Sequence, residues 1–402
     1  MAESTYFRKG FGLKQEIEGA LTADYHSGLV ARIRSSGYRL EAGGLTFLLA
    51  KEFGFCYGVD RAVEYAYETR EKFPSARIFL VGEIIHNPHV NDRLKEKGIT
   101  ILSRPTPGAE FDFSGVRPAD VVILPAFGVT VQDFERLRTV GCVLVDTTCG
   151  SVLNVWKRVE RYAKDGFTAL VHGKAQHEET RATASQVSRY PNGKYLVIRD
   201  MAEAEAVCAH IETGTFAQEL AGRFSHTASP GFDFARDLQQ VGVANQTTML
   251  AKESLAIAER VKVAFAKRYG EASLPDHFRS FDTICSATQE RQDAVLALLE
   301  EPLDVMIVIG GYNSSNTISL AKICAQKVRT YHVEDATRID PETGAIEHQV
   351  YPAQPVTETG WLTPETRLIG ITAGASTPNN KIGEAIVRIL NTRGEALPPE
   401  HP

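Results

Sequence analysis

Cys56 stands in the run Phe53-Gly54-Phe55-Cys56-Tyr57-Gly58-Val59, between an apolar stretch (residues 45–50) and the positions Val59, Ala62, Val63, Ala66 and Tyr67 at helical spacing. A thiolate at such a helix N-terminus is stabilised by the dipole and the open N–H groups, which suits a metal ligand. A lone cysteine more often simply packs. The setting recurs, however: Asp146-Thr147-Thr148-Cys149-Gly150 follows the apolar Val143-Leu144-Val145, and Asp282-Thr283-Ile284-Cys285-Ser286 precedes a helical pattern from about Gln289 to Leu299. The three cysteines lie too far apart in the chain for a local zinc knuckle or a ferredoxin-type run, so they can share a metal only if three units converge. Three thiolates without a fourth point to a 4Fe-4S cluster with one open iron. The competing reading is tetrahedral zinc completed by His86 or His177. Cys142, Cys208 and Cys324 lie mid-strand or within helical patterns and read as packing residues.

From Leu45 onward short apolar strands alternate with helical patterns, as α/β units with parallel sheets do. The fold class expected is α/β, with three similar lobes of mainly parallel sheet around a central cluster. Residues 1–44 read as an extension, an arm suited to docking or to a homodimer. Lobe 1 is expected over residues 45–148, its first strand able to pair with lobe 3. Lobe 2 covers 149–278 with an insertion at about 208–238, lobe 3 covers 279–390, and 391–402 is a tail. Polar and small residues cluster just after strands, at His86-Asn87, His177-Glu178-Glu179, Gln246-Thr247-Thr248, Asn313-Ser314-Ser315-Asn316 and Gly374-Ala375-Ser376. In parallel sheets ligands bind at such strand ends, against helix N-termini.

The 402 residues exceed one ordinary core, and 43% hydrophobic with 23% charged residues is a globular composition. The net charge of −6 gives no reason to expect nucleic acid or an anionic membrane. No apolar run approaches the ~20 residues that span a bilayer. The acidic residues near the N-terminus do not resemble a secretory signal or a transit peptide. Six cysteines without close pairs fit a reducing cytoplasm better than a disulfide framework.

Taken together and in order, these motifs resemble the 4-hydroxy-3-methylbut-2-enyl diphosphate reductase family of the non-mevalonate isoprenoid pathway, over roughly residues 46–390. The resemblance implies a 4Fe-4S cluster on Cys56, Cys149 and Cys285. It also implies two-electron, two-proton removal of the substrate hydroxyl as water, giving isopentenyl and dimethylallyl diphosphate. It places the diphosphate among His86, His177, Ser314, Ser315, Asn316 and Ser376, with Thr247 and Glu179 at the alcohol. Phe127 stands where many members have histidine, and with the N-terminal extension it marks the cyanobacterial and plastid branch, for which a ferredoxin-type donor and a cytoplasmic location are expected.

The residues agree with this chemistry on their own terms. With neither a GxxxxGK[ST] loop nor an aspartate-rich magnesium motif, a diphosphate needs hydroxyls, amides, imidazoles and helix N-termini. Asn313 to Asn316 supply more donors than an ordinary N-cap uses. Glu179 is the expected proton donor, with His177 orienting phosphate. Two other classes stay open from sequence: a redox-neutral cluster dehydratase, and an iron–sulfur sensor that would leave the Ser/Asn cradle unexplained.

Overall fold

A computed structural model describes residues 5–106, 108–281, 283–351 and 353–397. The chain divides into two compact units. One comprises residues up to Gly10, Phe73–Ile84 and Gly98–Cys285; the other comprises Phe11–Lys72, Ile85–Lys97 and the chain from Ser286 onward.

The first unit holds two parallel sheets. One orders its strands Tyr6–Phe7, Val143–Asp146, Val121–Leu124, Ile78–Val81 and Ile99–Leu102; the other runs Phe278–Ser280, Val241–Asn245, Thr168–His172 and Tyr195–Ile198. Ile78–Val81, Val121–Leu124 and Val241–Asn245 are buried at every position, because helices cover both faces. The second unit holds the sheet Thr330–Val333, Val305–Ile309, Leu368–Ala373, Leu45–Leu49 and Arg39–Ala42, parallel except for its last strand. A small antiparallel sheet, Ile339–Asp340, Ala345–His348 and Val356–Glu358, joins the same unit. The α/β class with mainly parallel sheets is therefore what the apolar runs specify.

Each parallel sheet ends one strand in a cysteine loop. Cys149 follows Val143–Asp146, Cys285 follows Phe278–Ser280 in the second sheet, and Cys56 follows Leu45–Leu49 in the sheet of the second unit. Asp282 lies outside the described residues.

Two stretches pack more closely than their sequence reading states. Residues before Leu45 join the α/β units: Tyr6–Phe7 pairs with Leu144 and Val145, while Val30 and Ile33 of the helix Gly28–Ser35 are buried with Ile382, Ile386 and Ile389. Residues 208–238 are loop and short helix, with the helix Ala217–Phe224 followed by turns. Cys208, Ile211, Leu220, Phe224, Phe234 and Leu238 share one core with Val241 and Val261.

Candidate functional site

In the second unit the strand Val305–Ile309 ends at Gly310 and the helix Ser315–Cys324 begins five residues later. Ser314 is its N-cap, accepting from Thr317 N–H, a contact worth about 1 kcal/mol. That cap uses one hydroxyl of the run. Ser315 Oγ and Asn316 Nδ2 are buried with no hydrogen-bond partner among the described residues, although both residues are over 95% buried. Asn316 cannot swing away, because its Oδ1 accepts from Ala375 N–H at 2.9 Å. Ser376 Oγ donates to the His86 carbonyl at 3.1 Å and lies 3.5 Å from Ser314 Oγ. His86 Nδ1 faces the Asn313 amide nitrogen at 3.4 Å, which makes Nδ1 an acceptor and Nε2 the proton-bearing nitrogen of the neutral ring. The structure thus brings His86, Ser314, Ser315, Asn316 and Ser376 into one cradle. Buried donors left unmatched cost roughly 1–3 kcal/mol each, which a bound anion offsets.

The first unit assembles the residues expected at the substrate alcohol. His177 caps the helix Glu178–Ser185, its Nδ1 accepting from Glu179 N–H at 3.2 Å, so Nε2 carries the ring proton here as well. Glu179, 1% exposed, accepts the Thr247 N–H on Oε1 at 2.6 Å. The Thr247 carbonyl in turn accepts from Cys285 N–H at 3.3 Å. Gln246, fully buried, braces this turn: its Oε1 accepts from Lys174 N–H and Thr180 Oγ, and its Nε2 donates to Thr248 Oγ. On the other side of His177 the half-buried Phe127 ring meets the imidazole edge-on, centroids 5.6 Å apart. Its neighbour Ala126 accepts from Cys149 N–H at 3.0 Å. Gly128 must be glycine: its φ is +74°, and a Cβ there would lie 2.3 Å from Trp156. Cys149, Phe127, His177, Glu179, Thr247 and Cys285 therefore form one connected run of contacts.

The six cysteines separate into two sets. Cys142, Cys208 and Cys324 are buried and their thiols are pushed up by burial, the latter two to about 12, so they are inert packing groups. Cys56, Cys149 and Cys285 are only partly buried, at the starts of the helices Tyr57–Lys72, Gly150–Lys164 and Ser286–Leu298. Cys149 is an N-cap whose side chain makes no capping bond. A soft, thiolate-only donor set at three helix N-termini fits an iron–sulfur cluster.

Residues that sequence reasoning passed over hold these loops. Asp146, three residues before Cys149, takes the Thr148 N–H and hydroxyl on Oδ1 and the Tyr6 hydroxyl on Oδ2 at 2.6 Å. Burial, and then Asp146, hold the Tyr6 hydroxyl protonated. Arg291 ties down the loop before Cys56. No local pattern announces such pairs.

The model of the LytB protein family matches residues 47–390. The chain belongs to the LytB family. A relative from Thermosynechococcus vestitus is 46% identical over 396 residues, covering 98% of this chain and 96% of its own, and one from Gloeobacter violaceus is 46% identical over 398 residues, covering 98% and 94%. Both are 4-hydroxy-3-methylbut-2-enyl diphosphate reductases. Among solved structures, the reductase described as the terminal enzyme of the non-mevalonate pathway is 28% identical with TM-score 0.52, covering 85% of this chain and 98% of that one. The Plasmodium falciparum reductase, 21% identical with TM-score 0.63 over 88% of each chain, shares the fold. The LytB match spans both units and all three cysteine loops, so the cradle and the Glu179 turn are parts of one family's scaffold.

Proposed function

We propose that this chain reduces 4-hydroxy-3-methylbut-2-enyl diphosphate to isopentenyl and dimethylallyl diphosphate. The C–O bond of the alcohol breaks, one C–H bond forms, and the oxygen leaves as water, consuming two electrons and two protons. The observation that carries the substrate assignment is the pair of buried, unmatched donors in the cradle, Ser315 Oγ and Asn316 Nδ2, beside Ser314, Ser376 and His86. A diphosphate supplies acceptors for Ser315 Oγ and Asn316 Nδ2 without a metal.

When bound on Cys56, Cys149 and Cys285, a 4Fe-4S cluster supplies electrons one at a time and one open iron for the alcohol. The chain's residues do the rest. His86 and His177 present Nε2–H donors to phosphate oxygens. Glu179, fixed by the Thr247 N–H, holds the proton that turns the departing hydroxide into water, and Thr247 orients the alcohol. Phe127 walls the isoprene carbons from water. In this reading each parallel sheet is one lobe contributing one cysteine, and a ferredoxin-type carrier in the cytoplasm delivers the electrons. No helix among the described residues is long and apolar enough to cross a membrane.

The test is anaerobic purification with iron and sulfide analysis, followed by incubation of substrate with a chemically reduced one-electron dye. Four irons per chain and release of both five-carbon diphosphates are expected. Zinc in place of iron, or hydration without electron uptake, would overturn the reading.

A further inference from the structure

Arg291 lies in the helix Ser286–Leu298 and is 3% exposed. Its Nη1 donates to the carbonyl of Ala287, one turn back, while its Nη2 reaches across to the Gly54 carbonyl at 2.7 Å and the Phe55 carbonyl at 3.2 Å. These are the two peptides immediately before Cys56. The preceding carbonyl, that of Phe53, takes Arg34 Nη2 at 3.4 Å, with the Arg34 guanidinium 4.4 Å above the Phe53 ring. On its other side the loop hangs from main-chain bonds, Gly54 N–H to Ala373 and Cys56 N–H to Ala375. Gly54 has φ +75°, a conformation the chain must be held in.

A buried guanidinium bonded to neutral carbonyls is an expensive way to fasten a loop. A neutral asparagine amide would satisfy two carbonyls without burying a charge. The guanidinium charge makes sense if a net-negative group occupies the end of the loop.

We infer that Arg291 is a positioning residue for the cluster, clamping the Cys56 loop through Gly54 and Phe55 and placing a fixed positive charge beside it. This rests on the iron–sulfur reading above. Three thiolates leave such a cluster net negative and each added electron makes it more so. A nearby cation therefore favours the reduced form, and net charge and hydrogen bonding are the ordinary determinants of cluster potential. Arg291 touches no substrate. It acts through the geometry and field at Cys56, as outer groups do at other metal centres.

The experiment compares wild type, Arg291→Lys and Arg291→Met as full-length, anaerobically reconstituted protein. Cluster loss under chelator challenge, midpoint potential by spin-resonance titration, and melting of the cluster-free chain are the readouts. The Met variant is expected to lose its cluster about tenfold faster or more, the usual scale for an outer-shell change, with its potential shifted negative. The Lys variant keeps the charge without the fork, so it holds a near-wild-type potential while losing the cluster at an intermediate rate. A Met variant with wild-type potential and retention overturns the inference. So does one whose only change is a lower melting temperature. If wild type itself takes up no iron, it is the iron–sulfur reading that fails.

Discussion

The Thr247 peptide bridges an acid and a cysteine: its N–H reaches Glu179 Oε1 at 2.6 Å and its carbonyl takes the Cys285 N–H at 3.3 Å. One turn thus holds the carboxyl proposed as proton donor at a fixed offset from a proposed cluster ligand. Glu179→Gln retains an oxygen that can accept the Thr247 N–H and removes only the transferable proton. Turnover is expected to fall about 10²-fold with iron content unchanged. Steady-state kinetics beside iron analysis checks this, and near-normal turnover would remove Glu179 from the chemistry.

Serine at Cys56, Cys149 or Cys285 is expected to abolish stable iron binding, since each replaces a partly exposed sulfur at a helix N-terminus. Serine at Cys142, Cys208 or Cys324 instead places a hydroxyl in a core and costs stability, roughly 1–3 kcal/mol, while iron remains. Iron content and melting temperature across the six variants separate the sets.

The cradle makes a prediction about metals. Ser376 bonds the His86 carbonyl and Asn316 is locked by Ala375, so these donors are placed before any ligand arrives. Asn316→Ala, which removes a charge-assisted bond of about 1.5–3 kcal/mol discounted for relaxation, and Ser376→Ala, which releases the His86 carbonyl, should each raise KM about tenfold. A chelator selective for magnesium should leave the rate intact. Activity that disappears with magnesium would contradict phosphate binding by the chain alone.

How far these features were legible depends on how local they are. Glycine or hydroxyls around Cys56, Cys149 and Cys285, the first two after apolar runs, are written within a few residues, and the parallel α/β class follows from the alternation of apolar strands with helices. Arg291 and Gly54 are 237 residues apart, and Tyr6 and Asp146 are 140 apart. On its own helix Arg291 looks like any solvated cation between Gln289 and Gln292. In residues 208–238 composition hid the packing: Gly222, Pro230 and Gly231 sit among Leu220, Phe224, Phe234 and Leu238, whose spacing follows no single period because the chain turns between them. The strands of the small antiparallel sheet are two to four residues long, too short for an alternation to show.

Two interior imidazoles set a pH limit. Burial holds His172 and His332 neutral, lowering each from 6.5 to about 4. His172 bonds Ser254 Oγ at 2.9 Å; His332 lies between the Gly310 carbonyl at 2.8 Å and the Tyr351 hydroxyl at 2.6 Å. Unfolded chains take up these protons near pH 6.5, and the folded chain does not until about pH 4. Stability is therefore complete above pH 6.5 and declines as pH falls toward 4, by about 3 kcal/mol per histidine at most. Urea unfolding at several pH values, with His172→Asn as the reference, should show a shallower decline in the variant. Parallel curves would mean that His172 is protonated in the fold.

Phe127 touches His177 edge-on and precedes Gly128, whose contact with Trp156 fixes the turn. An aromatic ring there cannot donate to a phosphate or an alcohol, so binding rests on His86 and His177 among the imidazoles. Because Phe127 is half-buried and the backbone of its turn is held by Gly128 and by Ala126 to Cys149, a histidine fits without moving the cluster loop. Phe127→His is expected to keep its iron and measurable turnover, and to add a term to the pH–rate profile between about 6 and 7, the range of an unperturbed imidazole. Losing the apolar wall should also lower kcat through water entry. If Phe127 serves packing alone, the variant will melt at lower temperature with an unaltered pH profile, and the role assigned to this ring at the substrate will have to be withdrawn.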